Sequence, residues 1–170
     1  MILVAFGGNL AYEGWGPPRA VIAAALDEVT ARGARVAARS RLYDSVPVPA
    51  SDQPNFVNGG AAVETTLPPR ALMQLLQGVE AAFGRVRKTR NEARTLDLDL
   101  LAYDDRVIEE EDLVLPHRLL HERAFVLLPL CDVAPGWRHP VLGRTVEDLI
   151  AALPPAALQG TRAIAESSRP

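Results

Sequence analysis

Two acidic residues, Asp97 and Asp99, lie two positions apart in the alternating stretch TLDLDLL at 95–101. Alternation of leucine with other residues is typical of a β-strand with one buried face. Residues i and i+2 share a strand face, so the two carboxylates are expected side by side, with Cα atoms ~6–7 Å apart. Because Asp has poor strand propensity, two of them inside one strand indicate that the pair serves a function.

A dense cationic segment precedes this pair. Its five basic residues, opposed by Glu92, are Arg85, Arg87, Lys88, Arg90 and Arg94. Mg²⁺ usually takes one or two carboxylates together with water and phosphate oxygens, and guanidinium groups bind the same phosphates. If the D-x-D motif stood by itself, it could be explained by a solvated strand face on which the aspartates pair with arginines. The apolar strand and the five cations together favour a magnesium–polyphosphate site.

The composition indicates one domain with a sizeable core, since the chain has 170 residues of which 48% are hydrophobic. The net charge of −3 argues against a nucleic-acid-binding surface. Cys131 is the single cysteine, which excludes an intramolecular disulfide framework. A signal-peptide pattern and a long apolar run are both lacking, so a cytoplasmic protein without a membrane partner is expected. No obligate protein partner is evident.

The aspartate strand is expected to be the last of six core elements. These elements are a strand at 2–6, a helix from Pro17-Pro18 to Gly33, strands at 35–43 and 56–64, a helix from Pro68-Pro69 to Gly84, and the aspartate strand. The order βαββαβ predicts an α+β, ferredoxin-like fold, an antiparallel sheet with helices on one face. The opposite face is then free to be polar and to hold a ligand.

The strand at 56–64, FVNGGAAVE, contains an unusual Asn58 followed by two glycines. Asn is disfavoured inside strands, and Gly there often marks close approach of a backbone or a ligand. A bulge or an edge strand is the alternative interpretation. The preceding stretch at 44–54 holds three prolines and is expected to be a stiff irregular loop.

Beyond the core we expect a short hairpin or loop at 137–144 and two further helices. The first helix follows Pro116-His117 and runs through Leu128, because Pro129 should end it. The second runs through Leu153, with Thr145 as its N-cap and Asp148 at the reciprocal position. The expected domain spans residues 1–155, and 156–170 form a frayed C-terminal tail.

Several motifs resemble those of one enzyme family. GRVRK, RTLDLDLLAY, VLPH and ERAFVLLPLCDVAP, with DQPNFVN at 52–58, are similar to 6-hydroxymethyl-7,8-dihydropterin pyrophosphokinases. The resemblance extends from Gly7 through Pro135. It implies a ferredoxin-like fold and a Mg-dependent transfer of pyrophosphate from ATP to the hydroxymethyl group of the pterin, which gives the pterin diphosphate and AMP in tetrahydrofolate biosynthesis.

The resemblance also implies roles for individual residues. Asp97 and Asp99 would hold two Mg²⁺ ions, while Arg85 and Arg94 would act on the transferring phosphates. The implied ATP-binding residues are Gln77, Glu80, Arg87, Leu100, His117 and Arg123. The implied pterin-binding residues are Val48, Phe56, Asn58 and Phe125.

The chain departs from the family where Trp-Gly-Pro is usual, since Asn91-Glu92-Ala93 stands there. This departure bears on lid closure, because the segment at 85–94 is expected to be a mobile lid that orders when both substrates bind.

Two other functions are alternatives to the pyrophosphokinase. A ferredoxin-like RNA-binding module would need paired strand aromatics and a basic sheet face. A two-metal nucleotidyl transferase or cyclase would release pyrophosphate and not AMP.

Overall fold

The structure is a computed structural model that describes residues 1–85 and 92–165. Its strands and helices follow the predicted order βαββαβ and continue with a C-terminal set. In chain order they are β1 (Ile2–Gly8), α1 (Pro18–Ala31), β2 (Arg35–Arg39), β3 (Tyr43–Ser45), β4 (Phe56–Glu64), α2 (Pro69–Ala82), β5 (Asp97–Tyr103), β6 (Ile108–Glu109), β7 (Val114–Leu115), a 3₁₀ turn (Leu120–Glu122), α3 (Ala124–Val133), α4 (Val146–Ala151), α5 (Pro155–Gln159) and β8 (Thr161–Ala163).

The central sheet is antiparallel and has the strand order β5-β1-β4-β3-β8, with β2 also paired to β4. The strand expected at 35–43 is divided into β2 and β3, which both pair with β4. Ser40 lies at the division, where its backbone N–H and its hydroxyl both bond to Gly60 of β4. With β2 and β3 counted as one strand, the order is that of a ferredoxin-like fold, so this prediction is confirmed.

One sheet face packs against α1 and α2, as predicted. The apolar side chains that meet there include Val4, Phe6, Val21, Leu26, Leu72, Leu76, Val79, Leu98 and Leu100. Both helices begin with proline at their first turn, where a missing N–H costs nothing. Gly33 and Gly84 follow the helix ends with φ of 104° and 75°, a backbone conformation that glycine adopts without strain.

The opposite face is not entirely free, contrary to the expectation. Half of it is covered by α3 and α4, where Leu3 and Leu101 of the sheet pack with Leu127 and Leu130 of α3. The other half remains open, because the residues that face outward there are polar or glycine and not apolar. The sheet therefore divides along its strands into a buried half and a half that can hold a ligand.

Pro129 lies inside α3 and does not end it at Leu128, which corrects the prediction. An interior proline removes one helical hydrogen bond and costs ~3 kcal/mol. Here it packs closely on β4, since a Cβ on Gly60 would lie 3.3 Å from the Cβ of Pro129. Burial of Leu127 and Leu130 beside it offsets the cost.

The C-terminal region is only partly as expected. The predicted capping box of Thr145 and Asp148 is present at the start of α4. The tail expected to be frayed, 156–170, contains regular structure in its first part, because 155–159 form α5 and 161–163 form β8 at the sheet edge; residues 166–170 lie outside the described ranges. Local periodicity is too short there to reveal a strand that is stabilised by β3. Within the described ranges no helix is long and apolar enough to cross a membrane.

Candidate active site

The open half of the sheet places Asp97, Gly7 and Asn58 in one row. Gly7 of β1 pairs with Asp97 of β5 on one side and with Asn58 of β4 on the other. A Cβ on Gly7 would lie 2.5 Å from the side-chain oxygen of Asn58, so only glycine leaves room at this point. Asp99 lies beside Ala5 on the same face. The strand pairing thus brings the carboxylates and the amide to one surface.

A cleft of about 740 Å³, open mouth included, lies over this row. All four predicted pterin-binding residues line the cleft: Val48, Phe56, Asn58 and Phe125. Four of the residues predicted for phosphates and metal line it as well: Arg94, Asp97, Asp99 and Arg123. One cavity therefore joins the two predicted substrate regions.

Asp97 is held between two arginines. Its Oδ1 accepts a hydrogen bond from Arg85 Nη1 at 2.5 Å, and its Oδ2 accepts one from Arg94 Nη1 at 2.7 Å. Burial raises the pKa of Asp97, but the charges of Arg94 and Arg85 more than offset this and hold the pKa below its usual value. Among the described residues, Arg85 Nε is buried without a hydrogen-bond partner. This donor remains available for an anionic ligand.

Asp99 has the opposite electrostatic surroundings. Burial and the nearby charges of Asp97 and Glu80 raise the pKa of its carboxyl to about 7. A cation would relieve this concentration of negative charge, and carboxylate oxygens suit a hard ion such as Mg²⁺. In the described part of the chain, no three His, Cys, Asp or Glu side chains form a metal-binding group. The donor set fits an ion that keeps water and phosphate oxygens as ligands, and not a closed protein cage.

The predicted ATP-binding residues do not all lie at the same place in the structure. Gln77 and Glu80 line a second cavity beside α2, together with Arg85, which was predicted to act on the transferring phosphates. Glu80 is buried, and its Oε1 accepts a hydrogen bond of 2.8 Å from the backbone N–H of Leu98, which ties α2 to β5. Leu100 packs in the core on the strand face opposite to the aspartates, so its side chain does not enter the cleft.

Arg123 lines the cleft from the segment before α3, whereas His117 is near enough to Arg123 and Asp97 to be affected by their charges. Burial, followed by the charge of Arg123, lowers the pKa of His117, and Asp97 opposes this shift. The guanidinium carbon of Arg123 lies 5.6 Å from the ring centroid of Phe125. Arg87 and most of the predicted lid fall at 86–91, outside the described residues, so both stay predictions.

Asn9 belongs to the site's framework, although no role was predicted for it. Its buried amide donates to the carbonyl of Pro54 at 3.0 Å and to Gln53 Oε1 at 3.3 Å. Its Oδ1 accepts from the backbone N–H of Arg94 at 2.8 Å. Ser45 was missed as well, and its hydroxyl accepts a hydrogen bond of 2.6 Å from Asn58 Nδ2. Asn9 directly follows Gly7 and Gly8 at the start of the range that the resemblance covers, which was the available signal; Ser45 offered none.

Comparisons with known proteins agree with this geometry. Residues 3–135 match the family described as 7,8-dihydro-6-hydroxymethylpterin-pyrophosphokinase (HPPK). Two similar proteins are both named 2-amino-4-hydroxy-6-hydroxymethyldihydropteridine pyrophosphokinase. The one from Pseudomonas aeruginosa is 45% identical over 154 residues, which are 90% of this chain and 91% of that protein. The one from Methylorubrum extorquens is 41% identical over 145 residues, 85% of this chain and 90% of that protein.

Solved structures show the same fold at low sequence identity. Wild-type HPPK-DHPS of Plasmodium falciparum is similar with a TM-score of 0.67 and 14% identity. The similarity covers 88% of this chain and 44% of that one, so this chain spans less than half of the longer protein. At this identity the likeness is evidence for the fold alone.

Proposed function

The chain belongs to the 7,8-dihydro-6-hydroxymethylpterin-pyrophosphokinase family, and we propose that its cleft transfers pyrophosphate from ATP to the hydroxymethyl group of 6-hydroxymethyl-7,8-dihydropterin. The protein is thus a pyrophosphokinase of folate biosynthesis, and ATP is the family's co-substrate. One observation carries the assignment of the cleft. An amide and two aromatic rings lie in the same cavity as the aspartates and Arg94.

The pterin is expected at the Asn58 end of the cleft. A flat heterocycle with donors and acceptors on its rim suits an amide at its edge and apolar surfaces on its faces. Asn58 supplies the amide, and Phe56 and Phe125 supply the rings. Val48, which is 70% exposed at the cleft, adds apolar surface.

The phosphates are expected at the arginines. Arg85 and Arg94 hydrogen-bond to Asp97 in this structure, and phosphate oxygens are equally strong acceptors for the same guanidinium groups. Polyphosphate binding would draw both arginines from Asp97 and leave that carboxylate for a cation. Arg85 Nε, buried without a partner among the described residues, would gain one.

Asp97 and Asp99 are the residues that would hold Mg²⁺, with two ions expected. Bound magnesium would neutralise phosphate charge and lower the pKa of the attacking hydroxyl. The raised pKa of Asp99, caused by burial and then by the charge of Asp97, agrees with a cation site at this position.

In the proposed reaction the hydroxymethyl oxygen attacks the β-phosphorus of ATP and loses its proton. The bond from that phosphorus to the oxygen shared with the α-phosphate breaks, and AMP leaves. Such transfer depends mainly on positioning and on stabilising charge, and not on covalent catalysis. Arg85 and Arg94 would stabilise the charge that develops on the phosphates. Asn58 and the two phenylalanines would hold the hydroxymethyl group towards them.

Product analysis with ATP and the hydroxymethyl pterin tests this function. AMP and the pterin diphosphate should form in equal amounts, and chelation of Mg²⁺ by EDTA should stop the reaction. Release of pyrophosphate would instead identify a nucleotidyl transferase.

An RNA-binding role is not supported by the comparisons. A cytoplasmic location and the lack of an obligate protein partner remain predictions from the sequence.

A further inference from the structure

The C-terminal segment lies outside the part that matches the family, yet it adjoins the cleft. The match ends at residue 135, whereas α5 and β8 occupy residues 155–163. β8 pairs with β3 so that Thr161 lies opposite Ser45. A further hydrogen bond of 2.8 Å joins the backbone N–H of Ile164 to the carbonyl of Leu42. We call residues 155–164 the C-terminal brace.

The brace contacts the loop that forms one wall of the cleft. This wall is the run Ser45, Val46, Pro47, Val48 and Pro49. The backbone N–H of Val46 donates to the carbonyl of Gly160 at 3.0 Å. That contact satisfies the first backbone donor beyond β3, at the point where the chain leaves the sheet.

Side-chain packing at the same point is tight. A Cβ added to Gly160 would lie 3.0 Å from Val46 Cγ2, which is closer than ordinary van der Waals contact. Val46 is 49% exposed, so its position is not determined by core packing. Gly160 has φ of −77°, a conformation open to any residue, so space and not backbone strain limits this position.

A second connection leads from the brace to the amide of Asn58. Ser45 and Thr161 are both buried partners across the β3–β8 pair. The Ser45 hydroxyl accepts the hydrogen bond of 2.6 Å from Asn58 Nδ2. The brace therefore borders both the apolar wall and the residue that orients the amide.

We propose that the C-terminal brace is a positioning element for the pterin half of the cleft. It holds the wall at 45–49 at the distance from Asn58 and Phe56 that a flat heterocycle requires. Gly160 is the positioning residue, because its carbonyl binds the wall's backbone and its missing side chain leaves space for Val46. This inference rests on the proposed function, since the ligand concerned is the pterin.

Gly160→Ala tests the inference, since the added methyl group should push Val46 and the wall by a few tenths of an ångström. We expect the KM and Kd for the pterin to rise about 3- to 10-fold, because tight pockets tolerate added volume poorly. The KM for ATP and kcat should stay within about 2-fold, since the arginines and aspartates are untouched. The Tm should not fall, because alanine at a helical φ reduces the entropy of the unfolded chain.

Two matched variants sharpen the test. Val46→Ala removes the atom that the new methyl group meets, so the double variant Gly160→Ala/Val46→Ala should bind the pterin as Val46→Ala does. Gly78→Ala is the control, since its Cβ would lie 3.1 Å from Arg32 Nη1, the end of a flexible side chain on the far side of the sheet. It should leave the pterin KM unchanged.

Three results would overturn the inference: an unchanged pterin KM in Gly160→Ala, equal losses for pterin and ATP, or no recovery in the double variant. Failure of the proposed function is a separate result, since the wild-type chain would then form no pterin diphosphate at all.

Discussion

At the scale of single residues, the two aspartates of β5 differ in their surroundings. Asp97 accepts hydrogen bonds from Arg85 and Arg94, which stabilise its charge. Asp99 is partly buried beside Asp97, and its pKa is raised to about 7. The pKa values of two carboxyl groups on one strand face are thus shifted in opposite directions, because side-chain partners and not strand geometry determine the local field.

Asp99→Asn should abolish magnesium-dependent turnover without unfolding the protein. The amide keeps the volume of the carboxyl but loses the charge that would hold the cation, so a loss of roughly 10²–10³-fold in kcat is expected. Steady-state kinetics across a Mg²⁺ titration, with circular dichroism for the fold, measure this. Asp105→Asn, at an exposed position after β5, is the control. Near wild-type turnover in Asp99→Asn would contradict the metal assignment.

Asn58→Ala should weaken the pterin and not ATP. A heterocycle edge that loses its hydrogen-bond partner in a buried site costs roughly 1–3 kcal/mol. Calorimetric titration with the pterin and separately with a non-hydrolysable ATP analogue gives the two affinities. Asn55→Ala serves as the control, because Asn55 is exposed and bonds to Asp44. Similar losses for both ligands would show that the amide does not face the pterin.

At the scale of elements, the turn between α3 and α4 depends on a neutral histidine. His139 is buried, and its Nδ1 accepts from the backbone N–H groups of Val141 at 3.3 Å and Leu142 at 3.2 Å. Burial and then the neighbouring His121 lower the pKa of His139. The ring of His121 lies 6.0 Å away and that of Trp137 5.8 Å away, between centroids.

This arrangement predicts a loss of stability in mild acid. The unfolded chain binds a proton at His139 near pH 6.5, while the folded state resists it, so the free energy of unfolding falls as pH drops from ~6.5 through the folded pKa. His139→Asn keeps an acceptor at the position of Nδ1 but does not titrate. Its Tm should fall less than that of the wild type between pH 7 and pH 5. Parallel curves for the two proteins would contradict the prediction.

At the scale of the whole molecule, one sheet carries a layer of helices on each face. α1 and α2 bury one face, and α3 with α4 buries half of the other. Both clusters take alternate residues of β1, such as Val4 on one side and Leu3 on the other. The helices on the two faces pack on the same strands, β1, β4 and β5. We therefore predict that both helix layers and the sheet unfold together as one domain.

The two tryptophans of the chain, Trp15 and Trp137, report on the two layers separately. The ring of Trp15 lies 5.4 Å from that of Phe83 on the side of α2, and Trp137 packs against the cluster of α3 and α4. Single-tryptophan variants, Trp15→Phe and Trp137→Phe, should give coincident urea transitions by fluorescence, each matching its own circular dichroism curve. Separate midpoints for the two probes within one variant would contradict the single-domain prediction.

Much of the site could be predicted because its residues belong to short motifs. Asp97, Asp99, Phe56 and Asn58 lie on strands whose alternation predicts their facing, and the structure brings them to one cleft. Leu100 stays a prediction as an ATP-binding residue, and the same alternation turns its side chain into the core.

The features that follow from the sequence alone are local. Strand and helix periods, the prolines at helix starts and the capping box of Thr145 depend on neighbours within a few residues, so the order βαββαβ was predictable. The tertiary structure alone decided three features: continuation of α3 through Pro129, cover of half the second sheet face, and pairing of β8 with β3. Each depends on contacts between residues far apart in the chain, such as Pro129 with Gly60 and Gly160 with Val46. No local pattern encodes such contacts, because their stability comes from surfaces that meet only after the chain has folded.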